Sequence, residues 1–125
     1  LSSNLINGAQ EAAKDILDTN VINVITVPGA FEIPGMVKKI INNQNPDLII
    51  TLGVLIKGET AHFEYISNAV SNSISMLTIQ SNMPIIFGVI TAYDKEQAIS
   101  RSSNKGYEAM ETGLKMLDLY DKHSK

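Results

Sequence analysis

The stretch L48-I-I-T-L-G-V-L-I56 decides how this 125-residue chain folds. It is apolar at almost every position and stops abruptly at Lys57 and Gly58. A strand that is apolar throughout, rather than at every second residue, is typical of a parallel sheet that is buried on both faces. The sequence therefore predicts a strand of a parallel sheet with helices on both sides.

Two other stretches have the same character. V21-I-N-V-I-T-V27 is rich in β-branched residues and is closed by Pro28 and Gly29, and I85-I-F-G-V-I-T91 follows Pro84. β-branched runs bounded by proline and glycine favour strands. We therefore predict three strands in all.

Helical spacing of apolar residues fills the segments between the strands. It predicts helices over residues 5–17, from 31–34 to about 43, from an N-cap at Thr60, and from a capping-box-like start at Asp94 and Gln97. The polar run R101-S-S-N-K-G106 predicts a break before a final helix.

Alternating strands and helices indicate an α/β fold with a parallel sheet, in one domain over residues 1–125. Three strands make a small sheet and the chain opens on a helix, so we expect an N-terminal strand that is missing from the given chain.

Composition excludes several classes of protein. The chain is 44% hydrophobic and 18% charged, with a net charge of −3 and scattered basic residues, which argues against a nucleic-acid partner. It has no cysteine, so disulfides, thiolate catalysis and thiolate metal sites are excluded. No apolar run approaches the ~20 residues that cross a bilayer, and no signal peptide is visible, so we expect a cytoplasmic protein with no membrane partner.

Three segments are expected at the carboxyl ends of the strands, where open α/β sheets bind ligands: residues 27–33, 56–62 and 87–93. The middle one runs from a strand through a glycine loop to a helix N-terminus, which favours anions. Gly58 would allow close approach of a phosphate and Thr60 would add a hydroxyl, although the loop is no Walker motif. The alternative is that Thr60 only caps a helix.

His62, one of two histidines, follows that loop at the start of the helix. The positive end of a helix disfavours imidazolium, so a neutral, proton-accepting ring suits general acid–base chemistry there. The alternative is a purely structural histidine. His123 lies in a polar tail and is expected to be solvated.

Several other residues have both a functional and an ordinary interpretation. Glu32 either meets a polar ligand or only favours a helix start. Phe31 and Phe87 are either ligand contacts or ordinary core. Arg101 and Lys105 are either solvated charges or a phosphate site at a subunit interface. Composition does not decide between them.

Four blocks, taken together, resemble the lumazine synthase family: V27-P-G-A-F-E-I-P34, L52-G-V-L-I-K-G-E-T-A-H-F-E-Y65, P84-I-I-F-G-V-I-T91 and N104-K-G106. They occur in the family's order and cover nearly the whole chain. The resemblance implies a flavodoxin-like three-layer α/β/α fold and active sites shared between subunits of a pentamer, in many members within an icosahedral capsid.

The resemblance also implies a transferase of riboflavin biosynthesis. It would condense 5-amino-6-(D-ribitylamino)uracil with 3,4-dihydroxy-2-butanone 4-phosphate to give 6,7-dimethyl-8-ribityllumazine, without metal or organic cofactor. Its partners would be these two small molecules, other copies of the chain, and riboflavin synthase.

Site residues carry over from the matching positions. His62 matches the proton-transfer residue. The positions implied for the uracil are Ala30, Phe31, Glu32, Val54, Leu55, Ile56 and, from the adjacent subunit, Phe87. Those implied for the butanone phosphate are Glu59, Thr60 and, from the adjacent subunit, Arg101, with Lys105 nearby.

Two departures from the family pattern matter. The family has an N-terminal strand ending in an aromatic residue, and it has more residues between the arginine and N-K-G than R101-S-S-N104 provides. True deletions there would compromise the uracil pocket and the phosphate loop. The alternatives are therefore a non-catalytic shell protein or a flavin- or lumazine-binding protein of the same fold. The archaeal-type riboflavin synthase is a further neighbour that the G-E-T-A-H loop fits less well.

Overall fold

A computed structural model describes residues 2–18, 22–59 and 62–124 of the chain. Within these ranges, two strands, four α-helices and two 3₁₀ turns follow one another. In chain order they are α1 (Ser2–Leu17), the first 3₁₀ turn (Ala30–Glu32), α2 (Ile33–Gln44), β1 (Ile49–Ile56), the second 3₁₀ turn (Lys57–Glu59), α3 (Phe63–Gln80), β2 (Ile85–Ala92) and α4 (Lys95–Lys122).

The strands β1 and β2 pair in parallel over their full length, from Ile49 opposite Ile85 to Ile56 opposite Ala92. Because the two strands end in register, the residues that follow them emerge side by side at one edge of the sheet. The helix α3 makes the connection that a parallel pair requires. This edge is where the sequence predicted a ligand site.

Helices cover both faces of the strand pair. On one face, Ile49, Leu55 and Ile85 pack into a core with α2 and α3. On the other, Ile50 and Leu52 pack against α1 and α4. Successive strand residues point to opposite faces, so an apolar side chain is needed at nearly every position. The predicted α/β fold with a parallel, doubly covered sheet is confirmed, and it is consistent with a flavodoxin-like fold.

The helices α1 and α4 cross at very short range. A Cβ atom on Gly106 would overlap the backbone carbonyl of Leu5, and one on Gly8 would overlap that of Ser103. Leu5 and Ser102 beside the crossing are fully buried. Glycine is required at both positions because only a residue without a side chain lets the two backbones come this close.

The predicted strand at residues 21–27 is wrong over the described part of it. Residues 22–27 have no regular secondary structure, and Val24 and Ile25 are 48% and 46% exposed. In the ranges that the structure describes, the sheet has two strands, and this segment pairs with neither. β-branched residues form a strand only where another strand accepts their backbone hydrogen bonds. Val21 lies outside the described residues.

The predicted helix break at residues 101–106 is also wrong, because α4 continues unbroken from Lys95 to Lys122. Its start is the predicted one, with the Gln97 backbone N–H donating to Asp94 Oδ1 at 2.8 Å. Within the supposed break, the Ser102 hydroxyl donates to the Ile99 carbonyl at 3.1 Å and its side chain is buried. Packing against α1 thus keeps a polar stretch helical.

The second predicted helix is confirmed as α2, with Pro34 in its first turn and Asn45 ending it at a φ of 50°. Asparagine is one of the few residues that adopt this left-handed conformation readily. None of the helices found in the three described ranges combines the length and the apolarity of a transmembrane span.

Candidate active site

The site residues predicted from the sequence fall into two groups. The first group lies at the carboxyl edge, which we define as the two 3₁₀ turns, Ala30–Glu32 and Lys57–Glu59, with His62 at the start of α3. The first turn contacts both α3 and β1. The first turn therefore lies beside the strand that leads into the second turn and the helix that follows it.

Phe31 stands out at the carboxyl edge because it is 61% exposed. The interpretation of this residue as ordinary core is therefore wrong. The neighbouring Ala30 packs against the core, which fixes the turn beneath the exposed ring. The side chain of Glu32 folds back over the chain, with Oε1 3.0 Å from where a Cβ on Gly29 would lie. An exposed ring beside a carboxylate can contact a planar polar ligand.

The three predicted contact residues at the end of β1 differ in how far their side chains are buried. The Leu55 side chain is buried in the core beneath α2 and α3, so only its backbone is available to a ligand. Val54 and Ile56 are half-buried. These two side chains point to the opposite face of the sheet from Leu55 because strand residues alternate.

His62 occupies the N-cap position of α3, and its ring lies 6.4 Å from that of Tyr65. The predicted cap, Thr60, lies outside the described residues, as do Ala61 and the side chain of Glu59. His62 itself is exposed, so its ring is accessible to a ligand at the carboxyl edge.

The second group lies in what we call the β2–α4 groove, a cavity of about 300 Å³ between β2 and α4. Consecutive β2 residues 86–91 line it, so it follows the edge of the strand that does not face β1. Phe87 is 44% exposed in this groove, and its interpretation as ordinary core is therefore also wrong. Arg101 and Lys105 line the opposite wall.

Arg101 is the only arginine in the chain. Its Nη1 donates a hydrogen bond to the backbone carbonyl of Thr91 at 2.8 Å, near the end of β2. A guanidinium has five N–H donors in a planar fork, so this bond fixes the group and leaves other donors for a ligand. Such a fork matches the oxygens of a phosphate or carboxylate.

Lys105 lies one turn further along α4, with its Nζ 3.5 Å from Glu108 Oε2. Both side chains are substantially exposed, so this ion pair contributes little to stability. Together, the two cations and one carboxylate leave the groove with a net positive charge. An anionic ligand is the one this arrangement favours.

Sequence reasoning missed Glu108 and Thr112, which line the same groove. The spacing of positions 101, 105, 108 and 112 is the signal that could have found them, because steps of four, three and four residues mark one face of a helix. The predicted break at 101–106 concealed this periodicity. Sequence reasoning also missed the contact between Lys57 and Tyr93, the residues that directly follow the two strands.

The groove and the carboxyl edge remain separate within one chain. Phe31, Glu32 and His62 are not among the described residues that line the groove. In addition, no group of three or more potential metal ligands occurs among the described histidine, aspartate and glutamate residues.

A comparison with protein families bears on both groups at once. The family model described as 6,7-dimethyl-8-ribityllumazine synthase matches residues 1–121. This match contains the carboxyl edge, the β2–α4 groove and the strand pair that connects them. The chain therefore belongs to the 6,7-dimethyl-8-ribityllumazine synthase family.

Proposed function

We propose that this protein condenses 5-amino-6-(D-ribitylamino)uracil with 3,4-dihydroxy-2-butanone 4-phosphate to give 6,7-dimethyl-8-ribityllumazine. The family match over residues 1–121 carries the proposal, because it places the chain among transferases that make lumazine in riboflavin biosynthesis. The geometry supports it with an exposed aromatic ring at each half of the site and an arginine fork in a positively charged groove.

The carboxyl edge takes the uracil in this proposal. Phe31 offers its exposed ring, Glu32 its carboxylate, and residues 54–56 the end of β1. His62 moves protons between the two reactants. Glu59 and Thr60 complete the phosphate side of the same loop, as the family pattern implies.

The β2–α4 groove serves the active site of a neighbouring copy. A neighbouring copy is needed because the cavity lined by Arg101, Lys105 and Phe87 does not include His62. An assembly would cover two surfaces: the edge of β2 that no strand among the described residues pairs with, and the exposed apolar residues Met76 and Ile79 on α3. We therefore propose a homo-oligomer, a pentamer or a shell of pentamers, with each active site between two copies.

The chemistry requires no covalent enzyme nucleophile. The amine adds to the ketone and loses water to form an imine, phosphate leaves, the resulting enol rearranges, and ring closure expels a second water. Because the substrates supply nucleophile and leaving group, catalysis depends mainly on orienting two reactants. Proton transfer by His62 adds roughly 10²–10⁴-fold.

We further propose that residues 1–125 act as one domain and that the protein works in the cytoplasm, without cofactor or metal. Riboflavin synthase, which consumes lumazine, is its proposed partner.

A rate measurement tests the proposed function directly. Both substrates are mixed with the protein and lumazine absorbance is followed against an enzyme-free control, since the condensation has a slow uncatalysed rate. A clear excess rate is the expected result. No excess rate from a correctly assembled oligomer would overturn the proposal, and tight binding of lumazine or riboflavin in that case would identify a binding protein.

A further inference from the structure

We propose that Tyr93 is a positioning residue, which holds the second 3₁₀ turn (Lys57–Glu59) in place on the path from β1 to His62. The effect that we predict on catalysis rests on the proposed function, whereas the effect on the turn does not.

The strand register places the two partners together. Ile56 and Ala92 are the last pair of the β1–β2 ladder, so Lys57 and Tyr93 are the first residues beyond it on each chain segment. The Lys57 Nζ lies over the Tyr93 ring, 5.8 Å from its centroid. This is within the distance at which an ammonium is attracted to the face of an aromatic ring.

The main chain of Tyr93 also runs close to the turn. A Cβ built on Gly58 would lie 3.5 Å from the Tyr93 carbonyl oxygen, an ordinary van der Waals separation. The turn therefore lies beside the main chain of Tyr93, and the contact that joins them is the one between Lys57 and the ring.

Tyr93 is itself fixed by the start of α4. Its backbone N–H donates to Gln97 Oε1 at 2.7 Å, while the Gln97 N–H donates to Asp94 Oδ1 at 2.8 Å. The second bond caps the helix, and the first ties the residue before the cap to the same glutamine. The next residue, Ala98, is fully buried and donates to the Asp94 carbonyl at 3.1 Å. Tyr93 thus connects a core-anchored helix to an exposed turn.

The Tyr93 ring contributes little to the core, because the residue is 72% exposed. An ordinary surface tyrosine would explain that exposure but not the lysine over its ring together with the hydrogen bond that fixes its backbone. High exposure has a practical consequence: removing the ring should leave global stability nearly unchanged. Positioning and folding can therefore be measured separately.

Trypsin provides the test of positioning, because it cleaves after Lys57 only when the turn is released. The full-length protein is compared as wild type, Tyr93→Ala and Tyr93→Phe, with cleavage after the exposed Lys122 as the internal reference. We expect Tyr93→Ala to raise the Lys57-to-Lys122 cleavage ratio about two- to fivefold, the range of an exposed cation–π contact. Tyr93→Phe keeps the ring and should match wild type.

Kinetics provide the second readout. Tyr93→Ala should raise KM for the butanone phosphate by a similar factor with kcat nearly unchanged, since the turn leads into the proposed phosphate loop. Lys57→Gln should do the same, and the double variant should be no worse than either single one, because both remove one contact.

Each outcome decides the question. An equal cleavage ratio in wild type and Tyr93→Ala, or a Tyr93→Phe that behaves like Tyr93→Ala, would overturn the positioning role. A melting temperature that is lowered equally in Tyr93→Ala and Tyr93→Phe would instead show that Tyr93 contributes to global stability. If wild type makes no lumazine, the proposed function fails, while the cleavage ratios still decide whether Tyr93 holds the turn.

Discussion

The β2–α4 groove and the carboxyl edge are built in opposite ways. The groove residues Arg101 and Lys105 stand on one turn of a 28-residue helix that packs closely on α1. The carboxyl edge instead consists of two short 3₁₀ turns and a helix start, held by a few contacts. The groove, which is the proposed anion side of the site, therefore stands on a long packed helix, whereas the edge that carries His62 depends on local contacts that single substitutions can remove.

The largest expected effect comes from breaking the carboxyl edge at its reactive group. His62→Ala should lower kcat by roughly 10²–10⁴-fold and still leave measurable turnover, because orientation of the two reactants remains. Steady-state rates against the enzyme-free reaction measure this. His123→Ala is the matched control, since His123 lies exposed at the end of α4. Two results would contradict the assignment of His62 as the proton-transfer residue. One is a complete loss of turnover in His62→Ala, and the other is an unchanged kcat.

The packing of α4 against α1, which supports the β2–α4 groove, can be disrupted where the two helices cross. Gly106→Ala introduces a methyl group that overlaps the Leu5 backbone carbonyl, so α1 and α4 must separate. We expect the free energy of unfolding to fall by about 2 kcal/mol, since overpacking outweighs the gain in helix propensity. Urea denaturation at fixed protein concentration measures it. Gly35→Ala in α2 is the control, with nothing within 4 Å of the new methyl, and it should be neutral or stabilising.

Removing the guanidinium tests the anion side without disturbing the helix. Arg101→Ala should raise KM for the butanone phosphate about 10- to 100-fold, the range of a charged hydrogen bond or two, while KM for the uracil changes little. Arg101→Lys keeps the charge but loses the fork, so it should lie in between. Lys115→Ala, an exposed cation on the same helix, is the control. An unchanged phosphate KM in Arg101→Ala would remove the phosphate assignment.

The smallest effect concerns a bond across the same pair of helices. The Tyr107 hydroxyl donates to Asp15 Oδ2 at 3.1 Å, and this hydrogen bond raises the pKa of Tyr107 above its ordinary value of 10.0. The folded state therefore holds this proton more tightly than the unfolded state does. The resulting stabilisation is complete below about pH 10 and is lost as pH rises through the folded pKa.

Tyr107→Phe removes this pH-dependent contribution. Urea unfolding at about pH 8 and about pH 11 should show that wild type loses slightly more stability over this interval than the variant does. Identical losses in the two proteins would show that the Asp15 contact does not persist in solution.

The sequence correctly predicted the features that depend on residues close together in the chain. The continuous apolar runs became β1 and β2, Pro34 entered the first turn of α2, and Asp94 capped α4 as expected. These features depend on residues a few positions apart. That both strands end at the same edge of the sheet followed from the predicted parallel arrangement.

The errors share a different origin, because they concern distant contacts. Residues 22–27 have the composition of a strand, but a strand also needs a neighbour, and none pairs with them in the described part of the chain. Residues 101–106 have the composition of a helix break, but they stay helical because Gly106 packs against Leu5, which is distant in the sequence. Likewise, nothing local distinguishes an exposed phenylalanine such as Phe31 from a buried one.

The contact between Leu5 and Gly106 also has a consequence for how the chain folds. The two residues are about a hundred positions apart, so closing this contact requires nearly the whole chain. Contacts of such long sequence separation slow folding. During synthesis, the alanine-lined face of α1 emerges well before α4, the helix that covers it. Until then it is an exposed apolar surface, and this helix is where unfinished chains are expected to aggregate.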